Sequence, residues 1–388
     1  MTEETQTAAP PPVKGSWEDL LAQAGRLAAA QNDEAVPIYE KLISRLQAMP
    51  EALRLANKNR LQNILRSATI QYHTFLTARE RYDEALALIP QIQALEPEEK
   101  RPGWEYHACT LLYQANRPEA ALAKLRERVQ GVDFPTINWG HLAMMQLRLK
   151  QPDSAEKVLD EAEQWLQAQQ NAGKKAGADL QDDQALLADL RSNVAVERGD
   201  WAGAAAYFDQ AATLDSFYKE NPHMLYVRLA HHGQYTAALS YIQRDQKHPV
   251  RADFWHGFVL KHLDKATEAR RFWQRVVQTD VNQTKERSLM EFVLAHYYQG
   301  DPEAVALGGV LRLLQENRGA SWELLLMAAL GWALRGNVQD ARVNLTQAVI
   351  RRKSMAEGVK LPRESWHFVQ DLLNDEVQAQ LAEYFETE

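Results

Sequence analysis

A short turn followed by an alanine recurs along this chain and constrains its fold more than any other feature. NDEA at 32–35 and PDSA at 152–155 are typical instances, with acidic or small residues before the alanine. The closing positions are Ala35, Ala85, Ala121, Ala155, Ala204, Ala238, Ala269, Val305 and Ala341. They are separated by 50, 36, 34, 49, 34, 31, 36 and 36 residues, so most intervals lie within three residues of 34. This near-regular self-similarity predicts an array of repeated structural units.

The segments between the turns predict helices. They are rich in Ala, Leu, Gln, Glu and Arg, which are strong helix formers. The alternation of apolar and polar residues that is typical of strands is nearly absent. We therefore expect an all-α chain in which each repeat is a pair of helices.

The pattern resembles the tetratricopeptide repeat (TPR) family, whose unit is a helix, a tight turn and a second antiparallel helix. The positions that carry the resemblance are Trp139, Ala143, Leu159 and Ala162, then Gly199, Trp201, Phe208 and Ala211, then Gly257 and Trp273, and finally Gly336, Leu345 and Ala348. The resemblance spans about residues 16–350. It implies a right-handed α-solenoid of about nine TPR-like helix-turn-helix repeats.

Three segments interrupt or flank the repeats. Residues 1–15 contain three consecutive prolines and predict a disordered arm. The Gly-, Lys- and Asp-containing stretch 171–184 predicts an exposed insertion within the solenoid. Residues 351–388 predict a basic linker followed by a C-terminal capping helix from Glu364 to Phe385. That helix has two interpretations, a fixed cap for the last repeat or a detachable helix that regulates the groove.

Composition excludes several classes of protein. The 44 Lys and Arg residues against 52 Asp and Glu give a net charge of −8, which argues against a nucleic-acid binder. No run approaches the roughly 18 apolar residues of a membrane helix, so we expect no membrane insertion. The N-terminus lacks the pattern of a secretory signal, which favours a cytoplasmic location. A single cysteine, Cys109, excludes an internal disulfide framework and a cysteine-cluster metal site.

Motifs of catalysis are missing from the sequence. A phosphate-binding loop, HExxH, GxSxG and GxGxxG do not occur, so we expect no enzyme and no cofactor. Six of the eleven histidines fall between His223 and His262. Clustered imidazoles bind zinc or sense pH in other proteins. Here the histidines do not recur with a second histidine or a carboxylate at the i, i+4 spacing of metal ligands. We therefore interpret them as scattered residues on helix surfaces and expect no metal site.

The resemblance implies that a partner lies along the first helices of the repeats, on the concave wall of the solenoid. The residues that this register places there are Tyr106, Tyr113, Met144, Arg148, Asn193, Phe254, Phe258, Lys261, Met290, Tyr297 and Tyr298. Aromatic residues and methionine suit a groove for an apolar helix or an extended peptide, although the same residues also suit the core between repeats.

The sequence thus predicts a scaffold or adaptor that binds another protein or peptide. The alternative is a sensor that binds a short signalling peptide or small molecule. The oligomeric state stays open.

Overall fold

A computed structural model describes residues 16–50, 58–129, 136–279, 289–300, 307–316, 321–355 and 358–386. These residues form helices and no strand; an isolated bridge joins Leu361 and Phe385. The α-helices, numbered in chain order, are α1 (Trp17–Ala29), α2 (Ala35–Gln47), α3 (Lys58–Ala78), α4 (Tyr82–Leu95), α5 (Arg101–Gln114), α6 (Pro118–Val129), α7 (Ile137–Arg148), α8 (Pro152–Asn171), α9 (Gly177–Glu197), α10 (Trp201–Leu214), α11 (Ser216–Glu220), α12 (His223–His231), α13 (Tyr235–Ile242), α14 (Pro249–His262), α15 (Ala266–Val277), α16 (Leu289–Tyr298), α17 (Gly308–Glu316), α18 (Trp322–Leu334), α19 (Val338–Ser354), α20 (Trp366–Leu372) and α21 (Asp375–Leu381). The prediction of an all-α chain is confirmed.

The turns between paired helices share one backbone conformation. A residue with positive φ stands four or five positions before each predicted closing position. These residues are Gln31, Glu80, Asn116, Lys150, Gly199, Gly233, Asp264, Gly300 and Gly336. A residue in the left-handed region ends a helix sharply and reverses the chain. The turn is therefore the structural basis of the repeat that the sequence displays.

The closing alanines lie where two helices approach most closely. Every one within the described residues has no exposed surface, from Ala35 to Ala341. Alanine keeps helix propensity high while its single methyl group lets the neighbouring helix come near. These buried alanines confirm the helical-repeat architecture. Val305 lies outside the described residues, and the number of repeats stays a prediction.

The chain consists of two compact units. Unit 1 is Met1–Ala115 with Ser354–Ala356 and contains α1 to α5. Successive helices of this unit contact each other, and α1 also contacts α3. Tyr39 and Tyr72 stack with their ring centroids 5.5 Å apart and join α2 to α3. The Tyr72 hydroxyl donates a hydrogen bond to Glu40 over 3.0 Å.

Unit 2 is Asn116–Lys353 with Glu357–Glu388. Most successive helices contact each other, and contacts also skip one helix, joining α7 to α9, α12 to α14 and α14 to α16. The first helices of neighbouring repeats therefore share a layer. We call the surface of α12, α14, α16 and α18 the helix-A face. Its apolar residues belong to one core cluster that also includes Phe368 and Val369 of α20.

The predicted insertion and the predicted C-terminal helix differ from the structure in detail. Of the expected insertion 171–184, only Ala172–Ala176 lies outside a helix, because α9 already begins at Gly177. The long repeat interval therefore reflects two long helices, α8 with 20 residues and α9 with 21. The expected arm 1–15 lies outside the described residues.

The C-terminal helix predicted over Glu364–Phe385 is instead two short helices, α20 and α21, because Leu373 is extended. The Asn374 side chain caps α21 by accepting a hydrogen bond from Val377 N over 3.0 Å. Asparagine is a favoured N-cap residue, so a new helix starts at this point. The basic residues 351–353 belong to α19.

Gly257 allows α14 to pack closely on α15. An added Cβ would press on Nε1 of Trp273 and lie 2.8 Å from its Cδ1. The Trp273 ring is buried, and its Nε1 donates a hydrogen bond to the Phe254 carbonyl over 3.2 Å, so it has little room to move. We expect Gly257→Ala to lower the free energy of unfolding by about 1–3 kcal/mol, as overpacking does.

Gly103→Ala is the matched control, since no atom lies within 4 Å of its added Cβ. Alanine is the better helix former, so this change should leave stability equal or raise it by up to about 1 kcal/mol. Urea denaturation of both variants makes the comparison. Equal losses in the two would contradict the close approach at Gly257.

Candidate functional site

Helix α20, part of residues 361–386, which we call the C-terminal segment, lies against the helix-A face. Helix α20 of this segment contacts α18. Its side chains also reach α12, α14 and α16, through Phe368 and Asp371. The chain thus places one of its own helices on the surface formed by the first helices of several repeats.

Phe368 is the apolar anchor of this contact and is 3% exposed. Four rings surround it, with centroid distances of 5.9 Å to His231, 6.4 Å to Phe254, 6.1 Å to Trp255 and 5.9 Å to Phe258. Such distances and tilted or edge-on geometries are those that aromatic rings prefer. The face therefore offers a pocket shaped for a single aromatic side chain.

Asp371 is the polar anchor, three residues after Phe368 and so on the same side of α20. Its Oδ2 accepts a hydrogen bond from the Tyr298 hydroxyl over 2.7 Å. The same oxygen lies 3.1 Å from Nζ of Lys261 and 3.0 Å from Nε2 of His262. Three side chains from α14 and α16 thus converge on one carboxylate.

The charge of Asp371 suits this arrangement. Burial raises the pKa of Asp371, but the hydrogen bonds with His262 and Tyr298 and the charges of Lys261 and His262 together outweigh burial, so the pKa lies below its usual value. The carboxyl group is therefore ionised at neutral pH. Lys261 also lies 4.8 Å from the centroid of the Tyr298 ring, a cation–π contact that fixes the ammonium group beside the carboxylate.

Two histidines form a further contact between α20 and the face. The rings of His231 and His367 stack at 5.5 Å. Burial, with a smaller contribution from His367, lowers the pKa of His231 to about 3. Burial also lowers the pKa of His367. Both rings are neutral at pH 7, so they stack without charge repulsion.

Four of the residues predicted to bind a partner are brought together at this contact. Phe254 and Phe258 line the Phe368 pocket, while Lys261 and Tyr298 hold Asp371. Phe254 and Phe258 are buried beneath the segment. Their burial fits the core between repeats and their contact with Phe368 fits a binding surface, so their role in binding a partner stays a prediction.

The other predicted residues of α16 belong to the core of unit 2. Tyr297 is buried, and its hydroxyl donates a hydrogen bond to the Met327 carbonyl over 2.8 Å. Met290 is half-buried against the same core cluster. Their surroundings match the inter-repeat core interpretation.

The remaining predicted residues lie on earlier helices. Tyr106 and Tyr113 are half-buried on α5 in unit 1. In unit 2, Met144 is half-buried and Arg148 exposed on α7, and Asn193 is half-buried on α9. Their role in binding a partner stays a prediction.

Sequence reasoning does not single out Phe368 and Asp371. The apolar pattern of the C-terminal segment indicates Trp366, Val369 and their helical neighbours, and Asp371 is only one of six acidic residues between positions 371 and 388. The available signal is an aromatic residue and an acid at i, i+3, which share one side of a helix. That spacing does not say which surface receives them.

No family model matches the chain, and no curated protein matches it either. Among solved structures, an alignment with the apo form of RapI covers 88% of this chain and 99% of RapI, at 10% identity and a TM-score of 0.38. The apo form of the quorum sensor NprR from B. thuringiensis aligns over 86% of this chain and 97% of its own, at 14% identity and a TM-score of 0.34. The human IFIT1 dimer with m7Gppp-AAAA aligns over 86% and 72%, at 13% identity and a TM-score of 0.36.

The architecture of this chain is that of a tetratricopeptide-like helical-repeat protein. Its paired helices, left-handed turns and buried alanines are the features that define it. No helix within the described residues combines the length and the apolar character that crossing a bilayer requires.

Proposed function

We propose that this chain is a non-enzymatic scaffold that binds another protein, and that its helix-A face receives a helix with an aromatic residue and an acid three positions later. One observation carries the proposal: the face already holds such a helix, α20, through Phe368 and Asp371. The C-terminal segment is then an intramolecular occupant that a partner helix displaces.

The chemistry of the two anchors supports helix recognition. An aromatic side chain in a dry pocket supplies most of the affinity when a helix docks on a groove. The carboxylate of Asp371, held by three side chains, fixes the position and direction of the helix instead. A ligand with both anchors occupies the face in only one register.

The length of the occupant favours a helical peptide over a small molecule. Helix α20 has 7 residues and spans the surface from His231 to Tyr298. The sensor of a short signalling peptide remains the alternative, since such a peptide could carry the same two anchors. The absence of nucleic-acid binding and of enzymatic activity stay predictions.

A synthetic peptide of residues 361–386 tests the proposal. We expect it to bind a full-length chain carrying Phe368→Ala and Asp371→Asn at least tenfold more tightly than the wild-type chain. In the wild type the tethered segment competes at an effective concentration in the millimolar range. Fluorescence anisotropy of the labelled peptide gives both dissociation constants.

Two controls define the outcome. Asp375→Asn changes an exposed acid on α21 and should leave peptide binding as in the wild type. A peptide that carries both anchor substitutions should not bind either chain. If the double variant keeps its helicity yet takes up no peptide, the segment is a fixed cap and the proposal is wrong. If the double variant loses helicity, the same binding assay is carried out with the single variant Asp371→Asn.

A further inference from the structure

Three side chains with metal-binding groups meet in unit 2. His223 is the first residue of α12, Asp245 follows α13, and His248 directly precedes α14. One ligand atom from each lies within 4.8 Å of the other two. The rings of His223 and His248 stand edge to face, with centroids 5.0 Å apart.

The carboxylate of Asp245 is oriented by its neighbours. Its side chain is fully buried. Oδ2 accepts a hydrogen bond from the Tyr226 hydroxyl over 3.0 Å. Oδ1 accepts one from the backbone N–H of His248 over 3.0 Å and lies 3.1 Å from Nδ1 of the same residue. A ligand carboxylate held by a second hydrogen-bonding partner is the usual arrangement around bound metals.

Charge and access also suit a cation. A buried carboxylate is stable only beside positive charge or hydrogen-bond donors. The His248 side chain is 29% exposed, which gives an ion a route from solvent. The next charged groups along α14 and α16, Arg251 and Glu291, form an ion pair with each other and so contribute little net charge.

From this geometry we propose that His223, Asp245 and His248 bind a divalent transition-metal ion of the zinc class. Two imidazole nitrogens and one carboxylate oxygen are a common three-ligand set for zinc, with water in the fourth position. Ligand atoms around tetrahedral zinc lie about 3.3 Å apart, as bond lengths near 2.0–2.1 Å require. The three ligand atoms lie within 4.8 Å of one another, so binding requires the side chains to draw together by about 1 Å or more.

His223 begins α12, whereas Asp245 and His248 lie in the connection between α13 and α14, which is why spacing along a single helix gave no sign of them. The ion would tie the start of α12 to the start of α14. Its expected role is structural, since it would fix the spacing of two helices that neighbouring repeats contribute. This inference is independent of the proposed helix binding.

Titration of the metal-free full-length chain with ZnCl₂ tests the site. We expect calorimetry to show one equivalent bound and Co²⁺ to give the intense visible absorption of a tetrahedral complex. His248→Gln, which changes a partly exposed side chain, should weaken zinc binding at least tenfold and abolish the Co²⁺ spectrum. Tyr226→Phe should weaken binding by roughly 10- to 100-fold, because it removes a partner of the ligand Asp245.

His256→Gln is the matched control. This histidine lies on α14 and stacks on Phe272 at 3.8 Å, away from the three ligands. Its replacement should leave stoichiometry, affinity and spectrum unchanged. Circular dichroism verifies that each variant is folded. The inference is overturned if the wild-type chain binds no Zn²⁺, or if His248→Gln binds it as tightly as the wild type does.

Discussion

Acidification from pH 7 to pH 5 is expected to lower the free energy of unfolding by about 2 kcal/mol through His73 alone. Burial lowers the pKa of His73 from 6.5 to about 3, and the adjacent His107 adds to this effect. The unfolded chain therefore takes up a proton below about pH 6.5 that the folded chain does not bind. Above about pH 6.5 His73 leaves the free energy of unfolding at its full value. Below that pH the free energy of unfolding falls progressively, until the pH reaches about 3.

His107 contributes in the same pH range. Burial lowers its pKa to about 4. The two imidazole centroids are 4.9 Å apart, and Trp104 lies edge-on to both at 5.3 and 5.4 Å. A proton on either ring would place a charge in an aromatic cluster of unit 1. We therefore expect unit 1 to lose stability steeply between pH 6.5 and pH 4.

His73→Phe isolates this effect. A phenyl ring fits the aromatic surroundings, and within the described part of the chain Nε2 of His73 has no hydrogen-bond partner to lose. Stability at pH 7 should change by less than about 1.5 kcal/mol. The loss between pH 7 and pH 5 should shrink by about 2 kcal/mol, measured by urea denaturation at both pH values.

Tyr72→Phe, on the same helix, is the control for general destabilisation. It removes the hydrogen bond to Glu40 and should lower stability equally at pH 7 and pH 5. The assignment to His73 fails if His73→Phe and the wild type lose the same free energy on acidification.

Arg251→Met is expected to lower the free energy of unfolding by about 3–5 kcal/mol, the cost of leaving one member of a buried ion pair alone. Nε of Arg251 lies 2.8 Å from Oε1 of Glu291, and the two side chains are 11% and 4% exposed. The pair joins α14 to α16. Burial raises the pKa of Glu291, and the charge of Arg251 opposes that rise. Without the guanidinium group, the carboxyl group of Glu291 either takes up a proton, or the surrounding helices open and expose it to water.

An exposed ion pair provides the comparison. Arg244 lies 2.7 Å from Asp209, with both side chains about half exposed. Arg244→Met should cost less than about 1 kcal/mol. The double variant Arg251→Met with Glu291→Met should recover most of the free energy of unfolding that Arg251→Met loses. Apolar side chains of similar volume replace buried ion pairs well. Equal effects of Arg251→Met and Arg244→Met in urea denaturation would contradict the prediction.

The repeat architecture was predictable because its determinants are local. The left-handed turn and the buried alanine five residues later recur with little variation, as at Gly199 and Ala204. Each is a steric requirement that a short stretch of sequence expresses by itself. The lengths of α8 and α9 were not predictable in this way, because Gly, Lys and Asp near residue 175 suggested a loop.

The candidate site was only half predictable, for a physical reason. The repeat register placed Lys261 and Tyr298 on the first helices, where they do contact another segment. The position of Phe368 and Asp371 depends on packing between residues about 110 positions apart. No repeat relates the C-terminal segment to the helices that it contacts, so periodicity carries no information about its docking.

That long separation also has a consequence for biosynthesis. Helices α12 to α16 are complete when residue 298 has been made, whereas Asp371 follows 73 residues later. At about 5–20 residues per second, the delay is about 4–15 s. For that time the aromatic pocket on the nascent chain has no tethered helix to fill it. A partner of the proposed kind, present at the ribosome, would therefore meet the α12 to α16 part of the face before α20 covers it, and association during translation would need no displacement.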